Sequence, residues 1–161
     1  MITHRIRQFT QAGRVPGPDD YRLAAAWLDE PLLQLFEQQH TRDIVHSAGT
    51  ARWLLQRGYN DRDLIAAALL HDVGKGHQRR IDRALFVVAD TAGQAHRLAA
   101  ADSRLELRRA IHRTLEHSSA GAGMLAAAGA SERLVELTAR HHGSPGADAM
   151  LALLQQADAE N

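Results

Sequence analysis

The chain has 161 residues, 19 basic and 19 acidic side chains, ten histidines and no cysteine. This length fits one domain whose core is large enough to fold alone, and a hydrophobic fraction of 45% excludes a disordered chain. The absence of cysteine excludes disulfides, thiolate metal sites and cysteine nucleophiles. The zero net charge argues against a strongly electrostatic nucleic-acid binder.

The first half of the chain has helical periodicity, and the alternating pattern of strands is absent. Gly13, Pro16 and Gly17 predict a loop, so we expect residues 1–18 to form an N-terminal arm and residues 19–161 to form one domain. Helices are predicted over residues 19–29, 31–39, 43–57 and 61–73. The last of these is apolar all round and is expected to be the most buried element.

The second half continues in the same helical pattern. One or two helices are predicted over residues 79–102, followed by helices over 105–117, 122–128, 131–142 and 147–159. The apolar cluster Leu85–Val88 is compatible with core, with a lid or with a homodimer surface. The prediction is an all-α bundle of roughly seven to nine helices.

Neither a targeting signal nor a membrane span is evident in the sequence. Met1 is not followed by an apolar leader, and the longest apolar run, Leu64–Leu70, is far too short to cross a bilayer. We therefore expect a cytoplasmic protein without membrane contact.

Two segments of the chain share a layout of possible metal ligands. His46 and His117 are each followed, at the same distance, by a glycine, Gly58 or Gly129. An apolar helix capped by Asp61 or Ser131 comes next and ends in a pair of ligand residues, His71-Asp72 or His141-His142. An internal duplication explains this layout, and so does the chance recurrence of similar helical hairpins.

This layout indicates a metal site. A His at the start of one helix can meet a ligand pair at the end of an antiparallel neighbour, and a carboxylate such as Asp72 after an apolar helix requires a strong partner. The suggested ligands are His46, His71, Asp72, His117, His141, His142 and Asp158. Imidazole and carboxylate without thiolate suit Fe, Mn, Zn, Ni or Co better than Ca or Mg. These candidates exceed one ordinary coordination sphere, which favours two ions.

The segment His71-Asp72-Val73-Gly74-Lys75 resembles the HDIG-type signature of the HD-domain superfamily of metal-dependent phosphohydrolases. The order H…HD…H…HH…D of its binuclear members is present at His46, His71-Asp72, His117, His141-His142 and Asp158. The resemblance covers about residues 40–160. The chain lacks the Gly-Tyr-Pro element of the related HD-GYP cyclic-di-GMP phosphodiesterases, which puts that substrate in doubt.

The resemblance implies a helical bundle with two divalent metal ions, Fe or Mn being favoured. One ion would be held by His46, His71, Asp72 and Asp158. Asp72 would bridge to a second ion, which would be held by His117, His141 and His142.

The implied reaction is hydrolysis of a phosphate mono- or diester by attack of metal-bound hydroxide. The substrate is expected to be a nucleotide or a related small phosphate. Asp72 and Lys75 would be catalytic, with Lys75 facing the phosphate. His77, Arg79 and Arg80 follow the motif directly and would either line a phosphate entrance or form a solvated basic turn.

Two other functions fit the same ligand set. Some HD-fold proteins use a di-iron centre as oxygenases that cleave C–C or C–P bonds. A regulatory module could instead keep the metal site in order to bind a nucleotide without turnover.

Overall fold

The computed structural model describes residues 14–76 and 105–161, together with residues 99 and 103, and gives only the backbone of 106–115. Within these ranges the chain forms seven α-helices and no strand. The helices are α1 (Pro18–Trp27), α2 (Glu30–Glu37), α3 (Thr41–Gln56), α4 (Arg62–Leu70), α5 (Glu106–Ala127), α6 (Glu132–Arg140) and α7 (Ala149–Ala159). The predicted all-α fold is therefore confirmed. The predicted helices over 79–102, apart from residue 99, the Leu85–Val88 cluster and the candidates His77, Arg79 and Arg80 lie outside the described residues.

Helix α4 is the centre of the core, as predicted. Every residue from Leu64 to Leu70 is buried, and α1, α2, α3, α6 and α7 pack around this helix. The run Ala66–Ala68 explains the dense packing, because small side chains let neighbouring helices approach closely. Burial of each large apolar side chain contributes about 1.5–3 kcal/mol.

Helix α4 ends earlier than the predicted Val73. Its last residue is Leu70, and the chain then forms a 3₁₀ turn over Val73–Lys75. The backbone N–H of Lys75 donates to the Asp72 carbonyl at 2.9 Å, which closes this tighter turn. The ligand pair His71-Asp72 therefore lies at a helix end, between α4 and the 3₁₀ turn.

The predicted break between residues 117 and 122 is wrong, because α5 is one continuous helix from Glu106 to Ala127. Two glycines, Gly121 and Gly123, lie within it, and each costs about 1 kcal/mol of helix propensity relative to alanine. At Gly121, close packing of α5 against the 3₁₀ turn opposes this cost. Ser119 also fits the helix, because its hydroxyl donates to the Glu116 carbonyl at 2.9 Å.

The N-terminal end of the described chain is tied to α3. Helix α1 begins at Pro18, one residue before the predicted start at residue 19. Asp20 in its first turn is fully buried, accepts a hydrogen bond from the Gly17 N–H at 2.7 Å and contacts the Arg52 guanidinium at 2.5 Å. Among the described residues, no helix has the length and apolar character that a membrane crossing requires.

Candidate metal centre

Two helical hairpins carry most of the predicted ligands. Hairpin α3–α4 contributes His46 from within α3 and His71-Asp72 from the end of α4. Hairpin α5–α6 contributes His117 from within α5 and His141-His142 from the end of α6. Asp158 comes from the last turn of α7. The structure thus brings all seven predicted ligands into one region.

The two hairpins are built alike. A glycine in the left-handed region ends the first helix of each, with φ of 85° at Gly58 and 82° at Gly129. The side chains of Asp61 and Ser131 then cap α4 and α6, each accepting a backbone N–H at 3.0 Å. Both capped helices have nine residues. The repeated layout in the sequence therefore corresponds to two equivalent hairpins.

The histidine that directly follows each capped helix is held in a fixed orientation. His71 Nδ1 lies 3.1 Å from the Ala68 carbonyl, and His141 Nδ1 lies 2.7 Å from the Thr138 carbonyl. A carbonyl oxygen only accepts hydrogen bonds, so Nδ1 carries the hydrogen in both rings. In the neutral ring, Nε2 then presents its lone pair to the centre. A backbone carbonyl that fixes the ring in this way is typical of metal-ligating histidines.

The first group of ligands surrounds His71 Nε2. This atom lies 3.6 Å from Asp72 Oδ2 and 3.4 Å from Asp158 Oδ1. His46 Nε2 contacts the same Asp158 oxygen at 2.7 Å. His71 Nε2 is buried and makes no hydrogen bond within the described part of the chain. A buried lone pair beside two carboxylates requires either a proton or a metal ion.

The second group consists of three imidazoles. His117 Nε2 lies 3.3 Å from His141 Nε2 and 3.1 Å from His142 Nε2. Asp72 Oδ1 lies 3.6 Å from His117 Nε2 and 3.7 Å from His141 Nε2. Asp72 thus directs one oxygen at each group, Oδ2 at the first and Oδ1 at the second.

Both groups fit a divalent transition-metal ion. The ligand atoms of His46, His71 and Asp72 lie within 4.8 Å of one another, and so do those of the three histidines in the second group. The donors are imidazole nitrogens and carboxylate oxygens, which suit Fe, Mn, Zn or Co. A cation in the first group would supply the partner that the buried Nε2 of His71 lacks within the described part of the chain.

The protonation of these groups is strongly coupled. Burial acts to lower the pKa of His71, but the carboxylates of Asp72 and Asp158 outweigh it and raise the pKa to about 9. Burial and the neighbouring His141 lower the pKa of His142 to about 4. For Asp72 and Asp158, burial acts to raise the pKa, yet the adjacent histidines hold it well below its usual value. Both carboxylates are therefore anionic and available to a cation at neutral pH.

Lys75 contacts one of the predicted ligands directly. Its ammonium group is paired with Asp72 Oδ2, three residues earlier in the chain. Phosphate contact by Lys75 stays a prediction. The ion pair was not foreseen from the sequence, although a spacing of three residues across a turn allows it.

Sequence reasoning also missed the residues that orient the ligands. The carbonyls of Ala68 and Thr138 each lie three residues before a ligand histidine. A histidine at the end of a helix can reach back to this carbonyl, so the local spacing carried a usable signal. The contact of Gly74 with Gly121 joins distant parts of the chain, and no local pattern indicates it.

Comparison with known proteins identifies the family of the chain. The family model described as HD domain matches residues 43–160 of the chain. The matched range begins in the first turn of α3 and reaches the end of α7, so it contains all seven predicted ligands. Searches of curated proteins and of solved structures give no match. Because the match covers most of its length, the chain belongs to the HD-domain superfamily, whose members are generally metal-dependent phosphohydrolases.

Proposed function

We propose that the protein is a binuclear, HDIG-type hydrolase of phosphate mono- or diesters, with a nucleotide or related small phosphate as substrate. The observation that carries the proposal is the position of Asp72. Its Oδ2 faces His71 at 3.6 Å, while its Oδ1 faces His117 at 3.6 Å. A buried carboxylate between two sets of imidazoles is suited to bridging two cations.

The ligands divide into two sets under this proposal. The first ion is held by His46, His71, Asp72 and Asp158. The second ion is held by His117, His141 and His142, with Asp72 as the shared ligand. Fe and Mn are favoured, since both accept mixed imidazole and carboxylate ligands.

Backbone contacts orient two of these ligands, and their burial excludes water. When bound, divalent ions in such a centre activate a water molecule and withdraw charge from phosphoryl oxygens. The carbonyls of Ala68 and Thr138 fix two of the imidazole rings before any ion binds. His71 and Asp72 are themselves buried, and exclusion of water strengthens electrostatic interactions at their side chains.

Lys75 supplies positive charge beside the shared carboxylate. An ammonium group has three N–H donors, so its contact with Asp72 uses only part of its capacity. Its side chain is 26% exposed, which leaves it accessible to a ligand. We propose that Lys75 binds a phosphoryl oxygen and offsets the negative charge that develops there.

Substitution of Asp72 tests the proposal. Asp72→Asn keeps the shape of the side chain but removes its charge, and we expect loss of both metal loading and hydrolysis of phosphate esters. Glu116→Gln is the matched control, because Glu116 precedes a ligand on α5 but is exposed and contacts Ser119. Full hydrolysis by metal-free Asp72→Asn protein contradicts the proposal.

The same preparations distinguish the rival functions. A panel of phosphate mono- and diesters, assayed with Mn- and Fe-loaded protein, should give turnover without oxygen uptake. Oxygen consumption by the Fe-loaded protein would instead support a di-iron oxygenase. Tight nucleotide binding without turnover, under several metals, would support a regulatory module.

A further inference from the structure

The 3₁₀ turn after Asp72 packs backbone against backbone on helix α5. A Cβ atom added at Gly74 would lie 2.1 Å from the His117 carbonyl oxygen and 2.5 Å from the Gly121 backbone nitrogen. Neither atom belongs to a flexible side chain that could move aside. Only glycine fits at position 74 unless the turn and the helix separate.

The contact is also tight, although less severe, from the side of α5. A Cβ atom added at Gly121 would lie 3.2 Å from the Gly74 nitrogen, 3.3 Å from Val73 Cγ1 and 3.4 Å from Thr138 Cγ2. Gly123 lies on the same helix, but a Cβ atom added there meets nothing within 4 Å. The two glycines of α5 therefore differ sharply in their surroundings.

This contact joins the two groups of ligands. Gly74 follows Asp72 by two residues, and Gly121 lies one helical turn after His117. The His117 carbonyl is itself the atom nearest to the space that a side chain at position 74 would occupy. The turn and the helix that touch here carry Asp72 and His117, and Asp72 Oδ1 lies 3.6 Å from His117 Nε2.

We propose that Gly74 and Gly121 are positioning residues that fix the distance between Asp72 and His117. A side chain at either position would separate the ligand set of the second ion from the shared carboxylate. His46, His71 and Asp158 belong to the first ion and come from α3, α4 and α7. The inference rests on the proposed binuclear centre, and it predicts that the second ion is affected selectively.

The test compares Gly121→Ala with Gly123→Ala in the full chain, titrated with Co²⁺ and followed by absorption and by elemental analysis. Gly121→Ala should bind the first ion as the wild type does and the second about tenfold or more weakly. Gly123→Ala should bind both ions unchanged and should raise the Tm of the metal-free protein by about 2–4 °C, because alanine favours the helix. Gly74→Ala is the more disruptive substitution. If the Gly74→Ala protein does not fold, Gly121→Ala alone provides the test.

Two results would overturn the inference. One is Gly121→Ala protein that binds both ions with wild-type affinity. The other is an equal loss of both ions together with a lowered Tm, which would indicate a general packing role. Wild-type protein that binds a single ion would contradict the binuclear centre itself, and this failure is seen before any variant is compared.

Discussion

At the scale of single residues, the same buried centre shifts the pKa values of His71 and His142 in opposite directions. His71 lies beside two carboxylates, which overcome burial and raise its pKa to about 9. His142 lies against His141, and burial together with that neighbour lowers its pKa to about 4, although Asp72 and Asp158 act in the opposite direction. The ordinary value for both is 6.5. Protonation of His71 therefore stabilises the metal-free centre, whereas protonation of His142 destabilises it.

These shifts predict a maximum in the stability of the metal-free protein near pH 6.5. The contribution of His71 is full below pH 6.5 and is lost as the pH rises through about 9. The contribution of His142 is full above pH 6.5 and is lost as the pH falls towards about 4. Thermal unfolding in the presence of a chelator, measured across this range, checks the prediction.

Two variants test which histidine produces the acidic side and which the alkaline side of the pH–stability profile. His71→Asn should flatten the alkaline side, and His142→Asn should flatten the acidic side, while each leaves the other side in place. Asp72 and Asp158 titrate at lower pH, since their pKa values are lowered. A wild-type melting temperature that does not change with pH over this interval would contradict the assignment.

At the scale of elements, an ion pair between a buried carboxylate of α1 and a partly exposed arginine of α3 joins the two helices. Asp20 is fully buried and contacts Arg52 of α3 at 2.5 Å. Removing one partner of a fully buried pair costs about 3–5 kcal/mol. Arg52 is 28% exposed, so solvent screens part of its uncompensated charge, and we expect the low end of this range. The tie therefore holds α1 against the helix that carries His46.

We expect Asp20→Asn to lower the free energy of unfolding by about 3 kcal/mol. Asp19→Asn is the matched control, because Asp19 precedes it in the same helix turn but is 75% exposed and pairs with Arg22. The control should cost less than about 1 kcal/mol. Urea unfolding measures both values, and equal effects of the two substitutions would show that burial of Asp20 does not matter.

The helices show which features a sequence can reveal. The caps Asp61 and Ser131 are local signals, and both were correctly predicted. The continuity of α5 was not, because the cost of Gly121 within a helix is opposed by contact with the distant 3₁₀ turn. Propensity describes a residue and its neighbours in the chain, whereas this contact depends on the assembled fold.

The candidate centre was predictable in composition but not in arrangement. The order of histidines and aspartates named all seven side chains that the structure brings together. The orientation of the Asp72 oxygens towards two groups depends on how the hairpins pack against each other. The ion pair of Lys75 with Asp72 was not predicted, because the family resemblance indicates only a phosphate partner for Lys75.

At the scale of the whole molecule, metal ions should stabilise the fold, because the ligands come from α3, α4, α5, α6 and α7. A ligand present at a hundred times its Kd adds about 2.7 kcal/mol to the free energy of unfolding. For a domain of this size, that corresponds to a rise in Tm of about 5–10 °C. Thermal unfolding with Mn²⁺ and then with a chelator measures the rise and its reversal. Asp72→Asn should show little rise, and an equal rise in this variant would place the stabilising ion elsewhere.

The metal content of the purified protein, measured by elemental analysis, tests the binuclear centre most directly. We expect two transition-metal ions per chain in the wild type and in Glu116→Gln, and neither ion in Asp72→Asn. His117→Ala should retain the first ion alone, because it lacks a ligand to the second. Two ions per chain in Asp72→Asn, or fewer than two in wild-type protein purified with Fe or Mn supplied, would contradict the account.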